Sequence, residues 1–140
     1  MATTAAFCNS FKQELLAMTP HTAADVYKIA LYTDAAATLS KSTTAYTATG
    51  EVVGAGYTAG GMAPTGFSVT MDGDTALLDW TTDPVWATAT ITADTALIYN
   101  SSRTNKAVAV VKFTSASSTA AAFTVQLPAP AAATGLIRIA

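Results

Sequence analysis

From Asp25 onward the apolar residues fall mostly at every second position, the period of strands with one face buried. In Asp25–Thr33, Tyr27, Ile29 and Leu31 share one face and Lys28 points the other way, which predicts a first strand. Phe67, Val69 and Met71 mark the next. Asp72-Gly73-Asp74 is a D-G turn of the kind that joins hairpins, and Ala76–Trp80 returns with Leu78 and Trp80 on one side, Leu77 and Asp79 on the other. Thr81–Pro84 breaks the pattern and Trp86 reopens it. Ala87–Ala93 alternates without error, with Thr88, Thr90 and Thr92 on one face and Ala89, Ile91 and Ala93 on the other. Leu97-Ile98-Tyr99 follows, then a polar turn over Asn100–Asn105, then the buried-type strand Lys106–Phe113. Ser115–Ala122 reads as a low-complexity Ser/Thr/Ala loop. Phe123, Val125 and Leu127 mark another strand, which Pro128-Ala129-Pro130 blocks. Leu136–Ile139 is the last.

Only the N-terminal segment has helical spacing. Phe7, Phe11, Leu15 and Met18 line one side of a short amphipathic helix that Pro20 closes, and Ser10 with Gln13 has capping-box spacing. Ala2–Ala6 precede it as an extended or mobile arm. A helix of two or three turns is unstable alone and must pack on its own sheet or on another chain. Phe7, Phe11 and Leu15 are therefore the candidate partner-interface residues. The whole predicts a single domain over 1–140, with an arm and helix in 1–20 and a β-unit over 25–140. About eight short strands with frequent turn signals and no helical crossovers argue an all-β, antiparallel β-sandwich or jelly roll.

The stretch Ala45–Gly61, AYTATGEVVGAGYTAGG, stands apart. It holds five of the eight glycines, interleaved with Thr47, Val52, Val53, Tyr57 and Thr58. Glycine permits close backbone approach, and the strand formers between argue an ordered, turning connection rather than a flexible linker. Gly54–Ala59 matches the dinucleotide pattern G-x-G-x-x-A. That pattern needs a helix starting at the glycines, and Gly60, Gly61 and Pro64 preclude one.

Charge changes the picture further. Charged residues make up 11% of the chain, with a net charge of −2. Such a chain cannot hold nucleic acid by neutralising phosphates. A surface of Thr, Ser and Ala repels little and suits a protein packed against neighbours. No apolar run approaches the roughly 18 residues that span a bilayer, so no membrane partner is expected. MATTAAFCNS lacks a positive region ahead of an apolar run, and synthesis in the producer's cytoplasm is the expectation.

Candidate chemistry is sparse. One cysteine, Cys8, permits no intrachain disulfide, and with one histidine, His21, it cannot make a typical zinc site. His21 follows the helix and reads as structural. Asp72, Asp74, Asp79 and Asp83 read as turn residues, since Asp72-Gly73-Asp74 lacks calcium-loop spacing. Trp86 and Tyr57 would have to be exposed together beside carboxylates to form a sugar site; core or interface anchoring is the simpler reading. A non-enzymatic protein with no cofactor and no metal is expected.

FKQELL (Phe11–Leu16), YKIALYT (Tyr27–Thr33), AYTATGEVVGAGYTAGG, ALIYNSSRTNKAVAVV (Ala96–Val111) and the closing LIRI, taken in order, resemble a family of small tailed-bacteriophage virion proteins. The resemblance is greatest to jelly-roll capsid cement (decoration) proteins of podophages. It implies a homodimer on the outer capsid surface of the virion that bridges neighbouring copies of the major capsid protein. It carries over no catalytic position. A tail or head–tail connector subunit, or a glycan- or receptor-binding module, are the alternatives.

Overall fold

The computed structural model describes residues 3–140. In chain order the elements are β1 (Thr3–Phe7), α1 (Asn9–Leu16), β2 (Tyr27–Tyr32), β3 (Thr65–Asp72), β4 (Thr75–Thr82), β5 (Val85–Asn100), β6 (Lys106–Thr124) and β7 (Ile137–Ile139). Every strand pair is antiparallel. One sheet has the order β1-β6-β5-β2, the other β3-β4-β7. The fold is thus all-β with one short helix, as the alternation predicts, with seven strands among the described residues instead of about eight.

The sheets share one apolar core. Ile29, Leu31, Leu97, Ile98, Val108 and Val111 are fully buried in the four-stranded sheet. Aromatic rings join it to the other. Tyr27 of β2 stacks on Phe67 of β3 at 5.5 Å, and Trp80 of β4 meets both rings edge-on at 5.2 and 5.8 Å. The predicted hairpin forms in the expected register, with Phe67 opposite Trp80 and Asp72 opposite Thr75. Gly73, first of its two turn residues, has the positive φ of 59° that such a turn demands. No helix among the described residues is long and apolar enough to cross a membrane.

Three local expectations are corrected. The segments read as Ala87–Ala93, Leu97–Tyr99, Lys106–Phe113, a loop over Ser115–Ala122 and a strand from Phe123 are in fact one hairpin, β5 against β6. Ser117 and Ser118 sit opposite Thr92 and Ile91, and the Thr92 and Ser117 hydroxyls lie 2.7 Å apart. Backbone pairing with β5 makes this a strand, although its side chains bury little. Breaks in register near Ala89, Ile91 and Ala93, and a φ of 46° at Ala120, mark bulges, and Thr90 Oγ1 accepts the Ala120 N–H there. The second correction is at the start. Thr3–Phe7 is not a loose arm but an edge strand paired with Ala109–Phe113; Ala2 lies outside the described residues. Third, α1 starts at Asn9, so Phe7 precedes the helix and Met18 follows it. No side chain caps its N-terminus, and Ser10 Oγ is buried without a partner, so the capping box does not form.

The glycine-rich stretch is a strap along the outer edge of β2. The Val52 N–H donates to Leu31 O at 2.9 Å, and Ile29 and Met62 exchange two backbone bonds of 2.8 and 3.2 Å. Farther along, Ala55 O accepts the Thr90 N–H of β5 at 2.9 Å. Gly61, at φ 73°, lies so close that a Cβ there would overlap the Ile29 carbonyl. At Gly73 the same test meets open space. Gly61→Ala is therefore expected to destabilise by at least ~3 kcal/mol, and Gly73→Ala by only about 1 kcal/mol. Urea denaturation of the two variants measures the difference, and equal losses would contradict the close approach.

Candidate functional site

His21 is where acid–base chemistry would be sought first. Its side chain is 1% exposed. Nε2 lies 2.6 Å from Glu14 Oε2, and Nδ1 lies 3.1 Å from Asn100 Nδ2. The fully buried Asn100 fixes the tautomer. Its amide N–H₂ also donates to Asp25 Oδ2 at 2.9 Å, and its oxygen accepts the Ser102 N–H at 3.1 Å, so it cannot be turned round. His21 Nδ1 must then accept, and Nε2–H donates to Glu14. Both ring nitrogens are engaged, and Phe11 packs edge-on at 4.8 Å. Cys8 lies at the other end of α1, buried, its thiol pushed up to about 11 by burial against the opposing influence of Lys12. No nucleophile–base pair results.

Around the ring runs a clasp of ions. Arg103 donates through Nε and Nη2 to the two oxygens of Asp25, each at 3.1 Å, and Lys106 Nζ lies 2.5 Å from Glu14 Oε1. The clasp ties α1 and the segment before β2 to the turn between β5 and β6. Hydrogen bonds from Arg103, then Asn100 and the Thr22 N–H, hold the Asp25 carboxyl well below the usual range. Burial raises Glu14, but hydrogen bonds from Lys106 and His21, together with the charge of Lys106, outweigh it and leave that carboxyl lowered.

A second cluster centres on Glu51 in the strap. Its carboxylate accepts from Tyr46 OH at 2.7 Å, Tyr57 OH at 2.6 Å and the Gly60 N–H at 2.7 Å. The bond to Glu51 and burial push the Tyr46 hydroxyl up to about 12; burial and then the same carboxylate push Tyr57 up as well. Tyr57 OH also accepts the Leu31 N–H, so its polar end is committed. Trp86 is buried, 5.9 Å from the Tyr57 ring, and the two do not form an exposed aromatic platform.

The four aspartates near β3 and β4 do not converge either. No group of three His, Cys, Asp or Glu side chains able to hold a metal occurs among the described residues. Asp72 accepts the Ala132 N–H and Asp83 the Leu127 N–H, each at 2.8 Å, pinning the segment that follows β6. Asp79 is 4% exposed, on the same face of β4 as Leu77, and its Oδ1 has no partner. Burial raises its carboxyl, and the charge of Asp83 adds to the effect.

The predicted interface residues separate. Phe11 is 1% exposed and belongs to the core, so it cannot contact a partner. Helix α1 packs on β6, and Phe11 is the helix's one buried residue. Phe7 and Leu15 are half-buried and line a shallow apolar groove of about 210 Å³ with Leu16, Ile139 and Lys12. Leu16 is almost wholly exposed. The outward apolar face is thus Phe7–Leu15–Leu16–Ile139. Helical spacing counted from Phe7 misses it, because the helix begins two residues later and Ile139 arrives from the far end of the chain.

No protein-family model matches this chain, and neither the curated proteins nor the solved structures contain a match to it.

Two pH dependences follow from the carboxyls. Asp25 has a lowered folded pKa, so its contribution is complete above an unfolded value near 3.9 and is lost as pH falls through the folded value. Asp25→Asn is expected to cost about 1–3 kcal/mol at pH 7, with the gap from the parent closing in acid. Asp79 has the opposite sign. Its raised folded pKa means the ionised form opposes folding, a penalty present in full above the folded pKa and relieved as pH falls towards ~4. Asp79→Asn is expected to raise the thermal midpoint at pH 7 and not at pH 3. Thermal melts across pH 3–8 test both.

Proposed function

We propose that this protein is a non-enzymatic virion structural protein, a capsid cement (decoration) protein that binds the outside of a phage head as a homodimer and bridges neighbouring major capsid subunits. The observation that carries the reading is the outer half of the β5–β6 hairpin. Among the described residues β6 has no strand on its far side beyond Phe113, and Thr114–Ala122 contains no charge and no proline. Most of these residues are exposed, as are Thr88, Thr90 and Thr92 of β5. An uncharged ribbon with one free edge costs little to desolvate and offers backbone groups to a neighbour.

Three further features support it. The ordered runs of residues from Phe11 to Val111 resemble virion cement proteins. His21, Glu51, Asp72 and Asp83 are engaged in holding the fold. Trp86 and Tyr57, the pair a sugar site would need, are turned to the core and to Glu51.

A cement protein works by mass action. It binds the assembled shell and not free subunits, and so stabilises the assembly, with many copies adding modest contacts. Purified chain added to heads that lack it is expected to bind saturably, at a copy number set by the shell's symmetry, and to raise the temperature at which heads burst. Absence from heads with presence at the tail would move the function to a tail or connector subunit. Binding to a glycan array without binding to heads would make it a receptor-binding module.

A further inference from the structure

We infer that the groove beside β1 is a receiving site for an extended, acidic segment of a partner protein, which adds to the β1 edge as a strand. The groove has a volume of about 670 Å³. One wall is the whole of β1; the other is the segment before β7, from Pro128 to Leu136, with Arg138 the one β7 residue that reaches the groove. Both strands are sheet edges: β1 bonds only to β6, and β7 only to β4. Among the described residues no backbone hydrogen bond joins β1 to β7 or either strand to a third segment. Among the described residues the free edge of β1 therefore borders the cleft with its outward N–H and C=O groups unused. Neither edge carries a proline, and β1 carries no charge, so the usual devices that discourage strand addition are missing there.

Charge selects the occupant. The chain has seven Lys and Arg residues. Arg103, Lys106 and Lys112 are paired with Asp25, Glu14 and Asp34, which leaves Lys12, Lys28, Lys41 and Arg138. Three of those four, Lys12, Lys41 and Arg138, line this groove, and no Asp or Glu does. In a chain of net charge −2 that concentration is local, not a reflection of composition. Lys12 Nζ sits 4.8 Å over the Phe7 ring and 3.4 Å from Asn9 Oδ1. Arg138 Nη1 donates to the carbonyls of Ala132 and Ala133, which aims the guanidinium while leaving its other N–H groups without a protein acceptor. Asp72, bonded to the Ala132 N–H of the same loop, is not part of the lining. A strand presents side chains to alternate sides, so acids at every second position can meet the three cations while the backbone pairs with an edge. Three cations are too few to hold a nucleic acid against cellular salt, which favours a peptide.

The site stands apart from the capsid reading, because it is tested on the isolated protein. The probe is a library of random peptides about ten residues long, enough to span a strand of ~5–6 residues with flanks. Selected peptides are expected to carry Asp or Glu at alternating positions and to slow amide exchange in Thr3–Phe7. The triple variant Lys12→Glu, Lys41→Glu, Arg138→Glu is expected to lose about tenfold or more in affinity, the sum of three exposed ion pairs, while Lys28→Glu does not. The exchange map on the unaltered protein gives the answer even if the triple variant folds poorly. Selection of no peptide, of peptides indifferent to charge, or of peptides that protect Thr114–Ala122 instead would overturn the assignment.

Discussion

The Glu51 carboxylate holds the part of the molecule on which the four-stranded sheet depends. β5 is 16 residues long, but β2 pairs with only its last six, so the rest of that edge needs another cover. The strap supplies it, and the strap has no ladder of its own beyond isolated bridges. Its conformation is set by one carboxylate accepting from two tyrosine hydroxyls and a glycine N–H. Hydrogen bonds to a carboxylate acceptor are the strong ones, and these three gather the chain from Tyr46 to Gly60 around one side chain. Tyr99 OH donates to Gly60 O at 2.8 Å and Tyr32 OH to Thr47 O at 2.7 Å, which fastens the strap to the sheet beneath. The glycines then allow the backbone to lie against β2 where any side chain would collide.

Much of this architecture is legible in the sequence, and the failures have a common cause. Alternation finds β2, the β3–β4 hairpin and its faces, because each has apolar residues to bury. The glycine pattern identifies an ordered connection, though not that it covers an edge, which depends on residues such as Ile29 and Thr90 that are distant in sequence. Ser115–Ala122 is missed because nothing in its side chains asks to be a strand; its partner on β5 decides. Thr3–Phe7 is missed for the same reason. Of the three candidate interface residues, Phe11 lies in the core while Phe7 and Leu15 stay partly exposed, since helical spacing identifies the apolar side but not which residue meets the core. The basic groove is invisible in sequence: Lys12, Lys41 and Arg138 come together only when the chain's two ends meet.

Charge is rationed unusually in this chain, and its placement links the interior to the surface. The ion pairs that tie the N-terminal segment in place surround Asn100 and His21, buried groups whose hydrogen bonds are mutually consistent in one arrangement only. Such networks specify geometry more than they add stability, because the desolvation they require is large. Asp72 and Asp83 are likewise bound to backbone. With so many ions committed internally, what remains outside is either neutral, as on the β5–β6 ribbon, or concentrated, as at the groove beside β1.

Those two surfaces bear on how a chain of this kind avoids aggregating. Free strand edges invite pairing with any exposed strand, and most proteins blunt them with charge, proline or a covering element. Here the β2 edge is covered by the strap, while among the described residues β1, β3 and the outer part of β6 have no covering strand. The ribbon is instead weakened as a template by its bulges and by small side chains that give an incoming strand little to pack on. The β1 edge lies behind three cations that repel segments carrying positive charge. The two open edges of the four-stranded sheet therefore discriminate by different means, the ribbon by shape and the groove by charge. Productive association then requires a surface that offers many weak contacts at once, which an ordered array of subunits provides and a stray unfolded segment does not.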